Sequence, residues 1–225
     1  MMTSGIDTNE SYNDINSGIY QFMDDLIHGT ENLTVYLGRL QAKHDIEPGT
    51  VFDYESVNSQ VLGMLIEQVT GMPLNQYLEK KIWKKIGAQS DAFLYRSFSQ
   101  SDQCAFGCFN ATLRDYGRFG LMMLNRGKLG ANTIVGTGWV KDATMSHIKT
   151  NPYNQYSHGY GYQWWVPADN HDGVYAAIGV FGQIIYIDSI RHVVIVETSA
   201  WPAKYSLEKW NEMYAVMHVI SASIT

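Results

Sequence analysis

Apolar residues recur at helical spacing between residues 19 and 43 (Ile19, Phe22, Met23, Leu26, then Leu33, Tyr36, Leu37, Leu40). The pattern breaks at Gly29, which predicts two short helices. Ahead of them, residues 7–17 are rich in Asn, Asp and Ser and read as a polar loop. Glu47-Pro48-Gly49-Thr50 is a turn signal, and Val51-Phe52-Asp53-Tyr54 is a short extended piece leading into a helix over residues 56–70. That helix repeats apolar side chains at Val57, Val61, Leu62, Leu65, Ile66 and Val69, and Gly71 stops it. A further helix is predicted over 74–86, ending at Gly87. The clearest amphipathic helix spans 110–125, with Leu113, Tyr116, Phe119, Gly120, Met123 and Leu124 on one side and Thr112 as its cap. Glycines 127, 130, 136 and 138 then punctuate a loop region, and residues 139–146 read as another helical stretch.

From Gly159 the period changes. Residues 160–166, 174–178, 183–187 and 192–197 are β-branched or aromatic runs separated by Gly, Asp or Pro turns, as expected of consecutive antiparallel strands. Residues 206–221 return to helical spacing (Leu207, Trp210, Met213, Tyr214, Met217) and would cover one face of that sheet. Helices followed by an antiparallel meander and a closing helix define an α+β class. The expected organisation is a mainly helical region over 1–158 and a strand-rich region over 159–225, combined in one catalytic domain, with no internal repeat.

Composition changes this picture little. The 225 residues are 45% hydrophobic and 13% aromatic, ample for a packed core. A net charge of -6, with 16 scattered Lys and Arg, argues against nucleic acid as a partner. The one basic cluster, Lys80-Lys81 with Lys84-Lys85, reads as a solvated helix face. No apolar run reaches the ~18–20 residues needed to cross a bilayer, and no signal segment opens the sequence, so a soluble protein of the periplasm or cytoplasm is expected. Cys104 and Cys108 lie four apart with no companion His pair, which favours two free thiols over a zinc site, with a disulfide as the alternative. The seven histidines (28, 44, 147, 158, 171, 192, 218) show no metal-ligand spacing, and there is no G-x-S-x-G elbow. Neither metal nor cofactor is expected.

Several phrases, in order, resemble the serine β-lactamase-related hydrolases, especially the branch holding class C β-lactamases, family VIII esterases and nylon-oligomer hydrolases. They are Met2-Thr3-Ser4-Gly5; Pro48-Gly49-Thr50-x-Phe52-x-Tyr54; Leu62-Gly63-x3-Glu67-x2-Thr70-Gly71; Ile82-Trp83-x3-Ile86-Gly87-Ala88; Asn110-Ala111-Thr112-x-Arg114-Asp115-x2-Arg118-Phe119-Gly120; and Gly179-x2-Gly182-Gln183. The resemblance implies a β-lactamase/transpeptidase-like fold and an acyl-serine mechanism. Such a mechanism needs a serine activated by neighbouring Lys and Tyr, because a hydroxyl is inert at its free pKa. Tyr54 matches the catalytic tyrosine, a general base and acid. Ser56 stands where class C enzymes carry Asn, which weakens a β-lactam-specific reading.

The family's third motif falls on Ala177-Ile178-Gly179. Ala177 replaces the cation that would hold a substrate carboxylate, so an uncharged ester or amide is the expected small-molecule substrate. Gly179 would let substrate lie along the strand, the Val180 N–H matches an oxyanion donor, and Phe181 and Gln183 complete the phrase as substrate-binding candidates. A plain strand glycine is the alternative for Gly179. Among Tyr160, Tyr162, Trp164 and Trp165, Trp164 is a candidate pocket-lining ring, with ordinary strand packing as the alternative. The Ser-x-x-Lys nucleophile of the family should precede the Met-Thr-Ser-Gly phrase and is expected upstream of this chain. Ser146-His147-Ile148-Lys149 and Ser206-Leu207-Glu208-Lys209 are expected to be chance matches. The competing expectation is a catalytically inactive, truncated member that folds as a homo-oligomer or binding module.

Overall fold

The computed structural model describes residues 1–29, 33–98, 102–150, 159–166 and 173–224. Gly18–His28 (α1) buries Ile19, Phe22 and Leu26 and is followed by Leu33–Gly38 (α2). At the break between them, the Gly29 N–H donates to the Asp25 carbonyl. Ser56–Thr70 (α3) ends at Gly71, whose φ of 63° is the left-handed conformation glycine adopts without strain. Leu74–Leu78 (α4) runs on into a wider π turn over Glu79–Trp83, so the helix expected to continue to 86 changes its winding. Two-residue strands Phe93–Leu94 (β1) and Phe109–Asn110 (β2) pair antiparallel. Leu113–Leu124 (α5) is capped as expected, its first turn donating the Asp115 N–H to the Thr112 hydroxyl. Lys128–Leu129 (β3) and Asn132–Thr133 (β4) form a small hairpin before Thr137–Ala143 (α6).

The main sheet contains Ile148–Lys149 (β5), Gly159–Tyr160 (β6), Trp165–Val166 (β7), Val174–Gly179 (β8), Gln183–Asp188 (β9) and Val193–Glu197 (β10). It is antiparallel throughout, in the order β10-β9-β8-β7-β6-β5. The expected meander is present with one difference. Residues 160–166 are a hairpin and not one strand: the Gly161 N–H donates to the Trp164 carbonyl and Gln163 turns at φ 67°. A Cβ at Gly161 would lie 2.1 Å from the Ala143 carbonyl oxygen, so the chain must bend at a residue without one. Leu207–Ser223 (α7) closes the chain.

Alternation along β8 and β9 sorts the side chains. Val174, Ala176, Ile184 and Tyr186 pack with Trp210, Met213, Tyr214 and Met217 of α7. Tyr175 and Ile187 face the other way, into a cluster with Met122, Met123, Leu124, Val140 and Trp164. Each such large side chain contributes about 1.5–3 kcal/mol on burial. A third cluster holds Ile19, Phe22, Leu26, Leu33, Val57 and Cys104.

Contacts gather the chain into two compact units. One is Met2–Lys81 with Asp91–Ala111; the other is Ile82–Ser90 with Thr112–Thr225, together with Met1. The division therefore interleaves in sequence, whereas the change of period suggested one change near residue 158. The reason lies in α5, which packs on β9 and β10 and so belongs with the sheet. Among the described residues no helix is long and apolar enough to cross a membrane.

Gly120 makes the α5 contact. A Cβ there would sit 2.6 Å from Val194 Cγ1 and 3.1 Å from Ile185 Cγ2, while Gly117, one turn earlier, has nothing within 4 Å. Gly120→Val should therefore cost about 1–3 kcal/mol by overpacking. Gly117→Ala should be neutral or gain up to about 1 kcal/mol from helix propensity. Urea unfolding midpoints of the two variants check this pair, and equal effects would contradict it.

Candidate active site

The strip after Met2 and the segment carrying Tyr54 are tied together by backbone hydrogen bonds. Asp53 N–H donates to the Met2 carbonyl (2.8 Å), Gly49 N–H to Thr3 (2.7 Å), Lys43 N–H to Gly5 (2.7 Å) and Asp7 N–H to Gln41 (2.7 Å). Two phrases more than 40 residues apart in sequence thus become neighbours, and Tyr54 is held half-buried directly before α3.

A polar cluster surrounds the head of α3. Glu55, the cap residue, makes no capping hydrogen bond to the helix, and Glu10 performs that task from outside. Its Oε2 accepts the Ser56 N–H at 3.0 Å, and its Oε1 accepts both the Ser56 hydroxyl and, at 2.7 Å, the Tyr12 hydroxyl. Glu55 is buried. It accepts the Thr8 hydroxyl and lies 3.6 Å from Lys43 Nζ, which also pairs with Asp53. Burial pushes the Tyr54 phenol up to about 12, and the Glu10 charge adds to the rise. Tyr12 is raised by burial and then by Glu10. Burial pushes the Glu55 carboxyl up to about 7; Asp53 and Glu10 reinforce this, while the Thr8 hydroxyl and Lys43 oppose it.

With these neighbours Tyr54 is a protonated phenol, and a nearby cation would have to lower it before it could act as a base. Ser56 is buried and its hydroxyl is committed to Glu10. Glu10, Tyr12 and Glu55 were not singled out from the sequence. No motif marks them, because a cap supplied from 46 residues away leaves no local pattern.

In the sheet unit, Gly179 and Gln183 pair across the β8–β9 hairpin. Gly179 is extended (φ -120°), while Phe181 (φ 61°) and Gly182 (φ 87°) take the left-handed turn. Glycine is required at 182 on two counts, since a Cβ would also meet the Trp201 ring at 2.4 Å. Phe181 N–H donates to the Lys204 carbonyl and its own carbonyl accepts the Trp201 N–H. The Gln183 amide pairs with both the carbonyl and the N–H of Ser199. Val180, at the tip, is 41% exposed. Ala177 is half-buried in β8, opposite Ile185. Trp164 is 6% exposed, stacked on Phe119 and edge-on to Tyr175, which is the packing of an interior ring.

The remaining candidates have structural explanations. Ser206 caps α7, accepting the Lys209 N–H at 3.3 Å, and Ser146 precedes strand β5 with its hydroxyl directed to the Ile148 carbonyl. Lys80, Lys81, Lys84 and Lys85 are exposed. Cys104 and Cys108 are free thiols, buried and half-buried respectively. Among the described residues no group of His, Cys, Asp or Glu is arranged to hold a metal ion; His158 and His171 lie outside them.

The antiparallel sheet closed by a C-terminal helix is what the periods predicted, and Tyr54 directly precedes α3. The chain belongs to the beta-lactamase family, whose sequence model matches residues 1–209. It is 33% identical over 163 residues to a 6-aminohexanoate-dimer hydrolase of Paenarthrobacter ureafaciens, an alignment covering 67% of this chain and 40% of that protein. A solved structure from Bacillus anthracis, provisionally described as a 6-aminohexanoate-dimer hydrolase, superposes with a TM-score of 0.79 at 22% identity. It covers 99% of this chain, which spans 59% of that one. EstCE1, a hydrolase with promiscuous acyltransferase activity, gives a TM-score of 0.67 at 18% identity, over 88% of this chain and 64% of that one. The chain therefore spans about half the length of the relatives it matches.

The raised Glu55 carboxyl has a pH consequence. Its folded value of about 7 lies above the ordinary 4.5, so the stability it contributes is present below about pH 4.5 and is lost as pH rises toward 7. Glu55→Gln should flatten that part of the profile, losing less stability than the wild type between pH 5 and pH 8. Urea midpoints at the two pH values test this, and parallel losses would rule it out.

Proposed function

We propose that this chain contributes the proton-carrying tyrosine and strand β8 of a serine hydrolase that cleaves uncharged esters or amides through an acyl-serine intermediate. The nucleophile is a Ser-x-x-Lys pair outside these 225 residues. The observation that carries the reading is Tyr54 itself. It stands in the family phrase at the head of α3, half-buried, with its phenol kept protonated by burial and by the Glu10 carboxylate.

In this scheme the charge of the lysine ammonium lets Tyr54 ionise, and as the serine Oγ attacks the carbonyl carbon its proton passes to the Tyr54 phenolate. The oxyanion forms against backbone N–H donors, to which the family likeness adds that of Val180, at the exposed tip of the β8–β9 turn. Collapse of the tetrahedral intermediate breaks the bond to the leaving alcohol or amine, which takes its proton from Tyr54. Water then attacks the acyl-serine by the reverse proton route and releases the acid. Ala177 in place of a cation favours substrates without a carboxylate at that position. The relatives named as an aminohexanoate-dimer hydrolase and as a hydrolase with acyltransferase activity support acyl transfer as the reaction class.

The test is nitrophenyl-ester hydrolysis by the longer protein that includes the Ser-x-x-Lys segment. Tyr54→Phe should lower kcat/KM by about 10²–10⁴-fold while leaving the thermal midpoint within a few degrees. A variant within twofold of wild type would remove Tyr54 from the mechanism.

A further inference from the structure

Thr8, Glu10 and Tyr12 are alternate residues of the polar strip after the Met2-Thr3-Ser4-Gly5 phrase, and all three face the head of α3. Thr8 donates its hydroxyl to Glu55, Glu10 takes the N–H and hydroxyl of Ser56, and Tyr12 donates to the Oε1 of Glu10. A carboxylate removed from water must have its lone pairs matched by donors, and Glu10 has three. Two of them come from Ser56, two residues beyond Tyr54, and one is the first N–H of α3, where the helix dipole favours an anion. The cap residue Glu55 leaves this position open, because its own side chain is turned to Thr8 and Lys43.

We propose that Glu10 is a positioning residue for Tyr54: its carboxylate pins the Tyr54-Glu55-Ser56 turn to the start of α3 and holds a negative charge near the phenol. The inference rests on Tyr54 being the proton carrier and adds what holds it in place. The charged and titratable groups around it are Tyr12, Glu55, Asp53, Lys43 and Asp7, with Tyr36 of α2, which also feels Glu10 and Asp25. Burial and then Glu10 raise Tyr54. Lys43 is engaged by Asp53 and Glu55.

The experiment uses this chain with fluorinated tyrosine, whose phenol ionises within the pH range where the protein stays folded. The ¹⁹F resonance of position 54 is assigned by its loss in Tyr54→Phe. Glu10→Gln keeps a hydrogen-bonding side chain and removes the charge, so the position-54 midpoint should fall by about half a pH unit or more. Ser56→Ala keeps the charge and should leave the midpoint unchanged. An unchanged or higher midpoint in folded Glu10→Gln, or an equal fall in Ser56→Ala, would overturn the proposal. If Glu10→Gln does not fold, Ser56→Ala and Tyr12→Phe carry the test. Loosening the carboxylate should broaden or split the position-54 resonance, and a sharp, unmoved line in both variants would overturn the pinning role. Hydrolysis by the longer protein separates the two readings. Full activity in Tyr54→Phe removes the functional assignment, whatever the ¹⁹F midpoints show.

Discussion

A carboxylate cannot be taken out of water unless hydrogen-bond donors meet it, and at the head of α3 that requirement organises everything around Tyr54. Glu10 is matched by the Ser56 N–H, the Ser56 hydroxyl and the Tyr12 hydroxyl; Glu55, next in sequence to Tyr54, is matched by Thr8 and Lys43. The strip from Thr8 to Tyr12, the turn at Tyr54 and the first turn of α3 are consequently fixed as one piece. The same arrangement acts on the phenol, which burial and the Glu10 charge push up to about 12. In the proposed mechanism, activating a serine then requires a positive charge from elsewhere, which a Ser-x-x-Lys pair would supply.

The sheet unit is governed by close approach. Gly120 lets α5 rest on Val194 and Ile185, and Gly182 lets the turn after β8 lie against the Trp201 ring. The Gln183 amide then secures the Ser199 backbone. The turn bearing Val180 is therefore held by Trp201, Lys204 and Ser199, which gives a backbone N–H in that turn a defined direction. A preorganised donor is what the oxyanion role proposed for Val180 would need.

Much of the fold could be read from the chain because pattern and packing agree. Helix α3 begins and ends where Tyr54 and Gly71 indicate, Thr112 and Ser206 cap their helices, and the alternation in β8 and β9 sorts their side chains to two faces. Other features depend on contacts that no local pattern carries. Of the apolar positions read along α3, Val57 is buried, yet Leu62, Leu65 and Val69 are exposed and the helix also packs through Gln60 and Gly63. The Gln60 side chain bonds to Gln103 and Ala105, and a Cβ at Gly63 would fall 2.3 Å from the Ala105 methyl. The bend at Gly161 and the π turn at Glu79–Trp83 likewise follow from neighbours distant in sequence or from local winding. Tyr54 was legible because a phrase surrounds it; Glu10 was not, because its partner lies 46 residues away.

The central claim is acyl transfer to a serine outside these 225 residues, with Tyr54 carrying the proton. Its most direct test is to label the longer protein with a fluorophosphonate and map the adduct by peptide mass spectrometry. The expected result is one modified serine, in a Ser-x-x-Lys sequence preceding Met1. An adduct on Ser146, Ser206 or any other serine of these 225 residues would contradict it.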